Sequence, residues 1–277
     1  MDYHDVRPKS QAELIFEAQL RKNRQFRANV ALSWVVLLVI LALMFSGEGN
    51  LPFGLRGIKL DTQFISENWR FIATGLLSTL EISILSILLA TLLALIAALG
   101  RLSTFPPFFA VSTFYVSLIR GTPLYLQIVF FFLALPQLGI ILPGLWAGVL
   151  ALGLNYGAYM SEIFRAGLAA VGKGQREAAM ALGMTARQTM QRIILPQALR
   201  FAIPPTGNEF IAMTKDSALV AVTGFVHELM WRATKVGRAH FRNLEALIIG
   251  AVFYWIMTLI LTALQSRLEA RMSRGDR

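Results

Sequence analysis

Long apolar stretches without a charged residue alternate along this chain with short polar segments. Residues 82–100, 121–161 and 246–266 contain no Asp, Glu, Lys or Arg. A helix needs about 20 apolar residues to cross the hydrocarbon core of a bilayer. The middle stretch is long enough for two such crossings. The pattern therefore predicts a polytopic membrane protein built from helices.

Six crossings are predicted, and the fold class is expected to be all-α. Their approximate ranges are 28–46, 71–100, 107–135, 145–163, 217–231 and 244–266. The region of the fifth crossing is interrupted by Pro204, Pro205, Gly207 and Gly224. Short and punctuated membrane segments are typical of transport routes.

These crossings divide the chain into three parts. Residues 1–70 are predicted to hold a cytoplasmic segment, an extra first span and an outer loop. Residues 71–270 are predicted to form the main membrane domain, with a cytoplasmic loop at about 172–200. Residues 271–277 are predicted to be a cytoplasmic tail.

The composition agrees with a membrane protein. The chain is 56% apolar with a mean hydropathy of +0.58, whereas soluble domains are about 45–50% apolar. Cysteine is absent, so no disulfide is possible. The three histidines, His4, His227 and His240, lack the spacing of metal ligands, and no metal site is predicted.

The net charge of +10 is explained by membrane topology rather than by nucleic acid binding. With the N-terminus inside, 18 of the 26 Lys and Arg residues fall in inner segments and 7 in outer ones, as the positive-inside rule requires. One outer loop departs from the rule with Arg232, Lys235, Arg238 and Arg242. Either it faces an acidic partner, or a late loop cannot reverse an established orientation; we favour the second interpretation.

A basic segment between the fourth and fifth crossings carries the most specific pattern. It reads Glu177-Ala178-Ala179, three residues, Gly183, nine residues, then Ile193-x-Leu195-Pro196. Gly183 is predicted to close a helix in the left-handed conformation. Thr185-x-x-Gln188 then predicts a capping box at the start of a second helix. The small side chains of Ala178 and Ala179 permit close approach of another surface, and Glu177 is available to a partner's arginine. An amphipathic loop lying on the inner leaflet is the alternative.

This spacing resembles the EAA loop of the membrane subunits of binding-protein-dependent ABC importers. The flanking motifs resemble the polar amino acid subfamily, and the resemblance covers about residues 70–270. The motifs are Ile119-Arg120-Gly121-Thr122-Pro123, Asn155-Tyr156-Gly157-Ala158-Tyr159, Glu162-Ile163-Phe164-Arg165-Ala166-Gly167, Gly174-Gln175, Leu195-Pro196-Gln197-Ala198 and Lys215-Asp216-Ser217. Two departures are the extra first span and the variant run Lys215-Asp216-Ser217-Ala218-Leu219.

The resemblance implies a type I ABC importer permease for polar amino acids, with about six membrane helices, in the inner membrane of a bacterium with both termini cytoplasmic. Glu177, Ala178, Ala179 and Gly183 would then form a coupling helix held by an ATPase subunit. Expected partners are two ATP-binding subunits, a second permease subunit and an extracytoplasmic solute-binding protein. ATP and Mg²⁺ would be bound by the ATPase subunits, because the nearest P-loop match in this chain, at residues 167–174, lacks the Ser or Thr that holds magnesium. The chain itself is not expected to be an enzyme.

Polar residues at membrane depth are the candidates for the substrate site, because they are costly in lipid unless they face a cavity. Arg120 precedes Gly121 and Pro123, which predicts a broken helix, and its guanidinium is suited to a substrate carboxylate. Its alternative is a structural salt bridge. Thr122 lies in the same motif.

A second group of candidates shares one face of the fourth crossing: Asn155, Tyr159 and Glu162. Glu162 is suited to a substrate ammonium group, or alternatively pairs with Arg165 or Arg120. Glu81 is either a pathway residue or interfacial. Lys215 and Asp216 are interpreted as an ion pair at the inner surface. An ion-coupled secondary transporter or channel for small polar solutes remains the alternative function.

Overall fold

The computed structural model describes residues 11–45 and 58–272, and residues 12–18 through their backbone alone. The chain divides into two units, Met1–Thr62 and Gln63–Arg277. All regular structure in the described residues is helical, which confirms the predicted all-α class. The predicted outer-loop residues 46–57 and the tail residues 273–277 lie outside the described residues.

The first unit contains one long helix, α1 (Gln11–Met44). Its segment Gln19–Met44 is long and apolar enough to cross a membrane. The large apolar side chains of this segment are exposed. A helix that is apolar on every side is typical of a membrane span, in agreement with the predicted extra first span.

The second unit contains the remaining helices. They are α2 (Thr62–Ala73), α3 (Gly75–Arg101), α4 (Pro106–Arg120), α5 (Leu124–Val129), α6 (Gly144–Ala170), α7 (Lys173–Ala181), α8 (Ala186–Thr189), α9 (Leu195–Asp216), α10 (Leu229–Ala239) and α11 (Asn243–Met272). A π-helical turn and a 3₁₀ turn extend α5 to Leu138, and a second π-helical turn, Met190–Ile194, joins α8 to α9.

The core of the second unit lies between α3, α6 and α9. Its buried residues include Ile82, Ala90, Ala94, Leu152, Met160 and Met213. Small residues bring these helices close together: a Cβ on Gly153 would lie 2.6 Å from Leu89, and one on Gly157 would lie 2.8 Å from the Tyr115 hydroxyl. Small residues at helix contacts are the usual means of packing within membranes.

Within the described residues, three helical segments are long and apolar enough to cross a membrane: Gln19–Met44, Thr62–Arg101 and Asn243–Met272. The second of them comprises α2 and α3. The pair formed by Pro106–Arg120 and Leu124–Leu138 also passes when taken together, but its axes differ by 105°. The two axes bend at the position where the sequence predicted a broken helix, so the predicted break beside Arg120 is confirmed.

The fifth crossing, predicted at residues 217–231, was placed wrongly. Residues 217–231 do not form a continuous helix: a 3₁₀ turn (Ser217–Thr223) is followed by Gly224 at φ 74°, and α10 begins only at Leu229. The long helix of this region is α9, which contains Pro204 and Pro205. Its prolines and polar residues lower its apolar character, so a search for long uncharged stretches did not detect this helix.

The N-terminal parts of α3 and α11 meet α10 in a second cluster. Glu228 precedes α10, and its carboxylate accepts hydrogen bonds from the backbone N–H groups of Met230 (2.8 Å) and Trp231 (2.6 Å) and from the Tyr254 hydroxyl (2.7 Å). Gly75 lies directly against Leu229, where a Cβ would come within 2.7 Å of the Leu229 Cα. Glu228 is thus a fully buried helix cap.

Candidate substrate cavity and coupling loop

A cavity of about 580 Å³ lies where the α4–α5 break meets the middle of α6 and the end of α9. Its lining is Arg120, Gly121, Thr122, Pro123, Leu124, Asn155, Tyr156, Tyr159, Glu209 and Asp216. Four predicted site residues are brought together here: Arg120, Thr122, Asn155 and Tyr159. The predicted Glu162 and Glu81 are not among the lining residues. This volume lies within the range of small-molecule sites.

One side chain holds the broken turn in place. The buried Gln127 donates from Nε2 to the carbonyl oxygens of Ile119 (2.8 Å) and Thr122 (3.1 Å) and to the Thr122 hydroxyl (2.9 Å). Its Oε1 accepts a hydrogen bond from the Asn155 amide at 3.2 Å. These bonds satisfy the backbone groups that the break leaves open. Sequence analysis overlooked Gln127, although a lone amide within an apolar run was the available signal.

Glu162 lies at the centre of an arginine cluster. Its carboxylate forms salt bridges with Arg101 of α3, with Arg120 at 3.1 Å and with Arg165 at 2.9 Å. The proposed structural alternative for Glu162, pairing with Arg165 or Arg120, is therefore the arrangement found. Binding of a substrate ammonium group by Glu162 stays a prediction. Three guanidinium groups already surround its carboxylate.

Arg120 belongs both to this cluster and to the cavity. Its guanidinium lies 5.1 Å from the centre of the Tyr159 ring, in a cation–π contact. The side chain is 41% exposed. A guanidinium has five N–H donors, so the contact with Glu162 leaves donors that face the cavity. The two interpretations of Arg120, salt bridge and substrate ligand, are compatible with each other.

The lining of the cavity also includes two carboxyl groups from α9, Glu209 and Asp216. Asp216 accepts a hydrogen bond from the Tyr156 hydroxyl at 2.8 Å. The predicted ion pair with Lys215 is absent among the described contacts, because adjacent residues of a helix do not face each other. Sequence analysis missed both cavity roles. Their seven-residue separation, which puts them on one helical face, was the available signal.

The loop between α6 and α9 contains the predicted helical hairpin. Gly183 has φ 74°, the left-handed conformation expected of it. Thr185 and Gln188 form the predicted capping box: the Thr185 hydroxyl accepts from the Gln188 N–H, and the Gln188 side chain accepts from the Thr185 N–H. A small apolar cluster of Val171, Ile194 and Ala198 holds the base of the loop.

The predicted coupling residues do not all lie on one side of this loop. Glu177, Ala178 and Gly183 are exposed. Ala179 is only 3% exposed and faces the protein. Two apolar side chains that sequence analysis did not select are exposed beside them: Met180, and Leu182 at 82%. Exposed apolar side chains on a polar loop are characteristic of a surface that binds a partner.

Comparison with known proteins agrees with this geometry. Residues 90–274 match the family of binding-protein-dependent transport system inner membrane components. The arginine transport system permease protein ArtQ of Bacillus subtilis is 42% identical over 207 residues, which cover 74% of this chain and 94% of that protein. The glutamine transport system permease protein GlnP of Escherichia coli K12 is 38% identical over 202 residues, covering 72% and 91%.

A solved structure is similar as well. The crystal structure of an amino acid ABC transporter with histidines has 39% sequence identity and a TM-score of 0.73, covering 77% of this chain and all of that one. The chain therefore belongs to the inner membrane components of binding-protein-dependent transport systems. It is the permease subunit of an ABC importer for polar amino acids and is not itself the ATPase. Because the chain belongs to this family, the alternative function as an ion-coupled secondary transporter or channel is discarded.

Proposed function

We propose that the cavity beside the α4–α5 break is the amino acid site of this permease. The observation that carries this proposal is that one cavity is lined by the guanidinium of Arg120 and by the carboxyl groups of Glu209 and Asp216. An α-amino acid has a carboxylate and an ammonium group, and each meets a group of opposite charge in such a site. Asn155 and Thr122, whose side chains form hydrogen bonds with Gln127, add neutral polar groups to the lining.

The loop from α7 to α8 is proposed as the coupling element. It lies between α6 and α9, and these two helices supply half of the residues that line the cavity. A partner ATPase that pulls on Glu177, Ala178 and the turn at Gly183 would therefore shift both helices together. Leu182 adds an apolar contact to this surface. Ala179 supports the loop from inside and lets it pack closely.

The assembly is proposed to contain a second permease subunit and two ATPase subunits. The cavity of one chain is bounded by α4–α5, α6 and α9, and a second copy or a homologous subunit would complete its enclosure. ATP and Mg²⁺ belong to the ATPase subunits. With the coupling loop on the cytoplasmic side, both termini are cytoplasmic, which agrees with the distribution of Lys and Arg.

In this orientation α10 lies on the outer side and carries a basic stripe. Arg232, Lys235 and Arg238 recur every three residues, and no carboxylate among the described residues pairs with them. Arg232 lies over the Phe71 ring and Lys235 over the Trp231 ring, which hold these cations in place. We propose that this stripe meets acidic residues of the solute-binding protein.

The turn after α10 supports the same role. Phe241 has φ 54°, a conformation that favours glycine, and its side chain is 92% exposed. The Arg242 N–H donates to the Gly237 carbonyl at 2.8 Å and closes the turn. An exposed aromatic residue held in a strained conformation beside a basic stripe is characteristic of a binding surface.

Reconstitution tests the proposed function. The chain, its ATPase and its binding protein are assembled in proteoliposomes, and ATP-dependent amino acid uptake is measured. Glu177→Arg is expected to abolish uptake while membrane insertion and folding are retained, because the reversed charge opposes a basic groove on the ATPase. Gln175→Glu, a neighbouring exposed substitution, is the control for a general effect of altered charge in α7. Unchanged uptake by Glu177→Arg would contradict the coupling role.

A further inference from the structure

The charges that line the cavity do not balance. The lining contains one guanidinium, that of Arg120, and two carboxyl groups, those of Glu209 and Asp216. Among the described residues, no Lys, Arg or His forms a salt bridge with either of these carboxyl groups. Arg120 is moreover shared with Glu162. The two carboxyl groups therefore lack a salt-bridge partner in the part of the chain that the structure describes.

The two carboxyl groups are held differently. Asp216 is fixed by the Tyr156 hydroxyl, and Tyr156 is itself almost fully buried. Glu209 is partly buried, and no described group donates a hydrogen bond to it. A carboxylate removed from water without a partner is costly. Glu209 therefore has no positive partner among the described residues, and a bound ligand would have to supply one.

We infer that this permease prefers amino acids with a cationic side chain, and that Glu209 determines this preference. The inference rests on the proposed amino acid site. In this arrangement Arg120 binds the α-carboxylate and Asp216 the α-ammonium group, which all amino acids share. Glu209 then binds the additional positive charge of the side chain.

The charge count decides between the classes of amino acid. A cationic amino acid brings one negative and two positive groups, which match one guanidinium and two carboxyl groups. A neutral amino acid leaves one carboxyl group without a partner, and an acidic one adds a repulsive contact. Specificity of this kind comes from the cost of an unpaired buried charge as well as from the attraction itself. The volume of about 580 Å³ leaves room for a long side chain.

The test measures ligand binding without the solute-binding protein, because that protein has a selectivity of its own. The permease is purified with its ATPase in lipid nanodiscs. Binding of radiolabelled L-arginine is measured in competition with L-lysine, L-glutamine and L-glutamate. We expect L-arginine and L-lysine to bind at least about tenfold more tightly than L-glutamine, which is the scale of one charge-assisted hydrogen bond.

Substitution then identifies the residue. Glu209→Gln is expected to weaken L-arginine binding about tenfold and to leave L-glutamine binding nearly unchanged, so that the preference disappears. Asp216→Asn is expected to weaken the binding of both ligands. Glu67→Gln removes an exposed carboxylate on α2 and is the matched control. The elution profile and basal ATPase rate of each complex show that it is folded.

Two results would overturn the inference. One is a wild-type complex that binds L-glutamine as tightly as L-arginine. The other is a Glu209→Gln variant that keeps the wild-type preference. In both cases an amino acid still binds, so the proposed site remains. Failure of the wild-type complex to bind any amino acid would overturn the site together with the preference.

Discussion

At the scale of single residues, Glu162 shows how a charged group is accommodated toward the C-terminal end of α6. Three arginines from α3, α4 and α6 converge on its carboxylate. The contact joins three helices through one side chain. It also links the cavity residue Arg120 to the C-terminal ends of α3 and α6. The cluster contains three guanidinium groups and one carboxylate. The carboxylate of Glu162 therefore offsets the repulsion between the arginines.

Removal of this carboxylate is predicted to separate the arginines. Glu162→Gln should lower the free energy of unfolding by about 1–3 kcal/mol, the scale of lost hydrogen bonds to a charged group. It should also weaken uptake by releasing Arg120. Thermal unfolding of the purified complex and uptake kinetics measure the two effects. Arg101→Gln, outside the cavity lining, should reproduce the loss of stability. Full stability of both variants would contradict a structural role for the cluster.

Sequence reasoning found part of the cavity at this scale. Arg120 and its neighbours were recognised because a charge beside Gly121 and Pro123 interrupts an apolar run. Glu209 and Asp216 were not, because the polar pattern of α9 was interpreted as belonging to the cytoplasmic side. The arginine cluster around Glu162 could not be deduced either. Arg101 is 61 residues from Glu162, and only tertiary packing brings them together.

At the scale of helices, irregular turns lie beside both proposed functional elements. A π-helical turn follows α5, which borders the cavity, and another precedes α9 at the base of the coupling loop. Such turns are frequent at functional sites. The hairpin itself was predictable because Gly183 and the capping box act locally. The extent of α9 was not predictable, because packing against α6 stabilises a helix that its two prolines disfavour.

The exposed tip of the hairpin is predicted to contribute to ATPase binding. Leu182→Ser should weaken the association of permease and ATPase about tenfold, since a Leu side chain loses roughly 1.5–3 kcal/mol of apolar burial. Co-purification at graded detergent concentrations and surface-binding kinetics measure this association. Ala181→Ser, at the preceding exposed position, is the control. Equal affinity of the Leu182→Ser variant and the wild type would remove Leu182 from the contact.

A further prediction concerns the basic stripe of α10, which is proposed to face the solute-binding protein. The double substitution Lys235→Glu and Arg238→Glu should slow association with the binding protein about tenfold or more at low salt, because steering by opposite charges is lost. ATPase stimulation by the loaded binding protein provides the measurement. Lys59→Glu, an exposed lysine also assigned to the outer side, controls for net charge. Stimulation that is unaffected and independent of salt would contradict this docking surface.

At the scale of the molecule, the family match begins at residue 90, and α1 precedes it. The relative ArtQ is covered over 94% of its length by only 74% of this chain. The proposed machinery, comprising the cavity and the coupling loop, lies within the second unit. Fold class and function were predictable from the sequence because apolar length and the loop motif are local. The break between α4 and α5 was predictable from Gly121 and Pro123, but the angle of 105° between the two helices needed the structure.

Deletion of residues 1–57 is predicted to leave transport intact. The shortened chain keeps α2 to α11 and therefore every residue of the cavity and of the coupling loop. ATP-dependent uptake in proteoliposomes, normalised to the amount of inserted protein, should stay within about twofold of the wild type. Complete loss of uptake by a correctly inserted variant would assign an essential role to the first unit.

The contact of Gly75 with Leu229 has a mechanical consequence. The backbones of α3 and α10 touch there without an intervening side chain, and the Glu228 cap binds Tyr254 of α11 at the same place. Neither α3 nor α10 can slide past the other without breaking these contacts. A displacement of the coupling loop is therefore expected to tilt these helices about this fixed contact rather than to shift them along their axes.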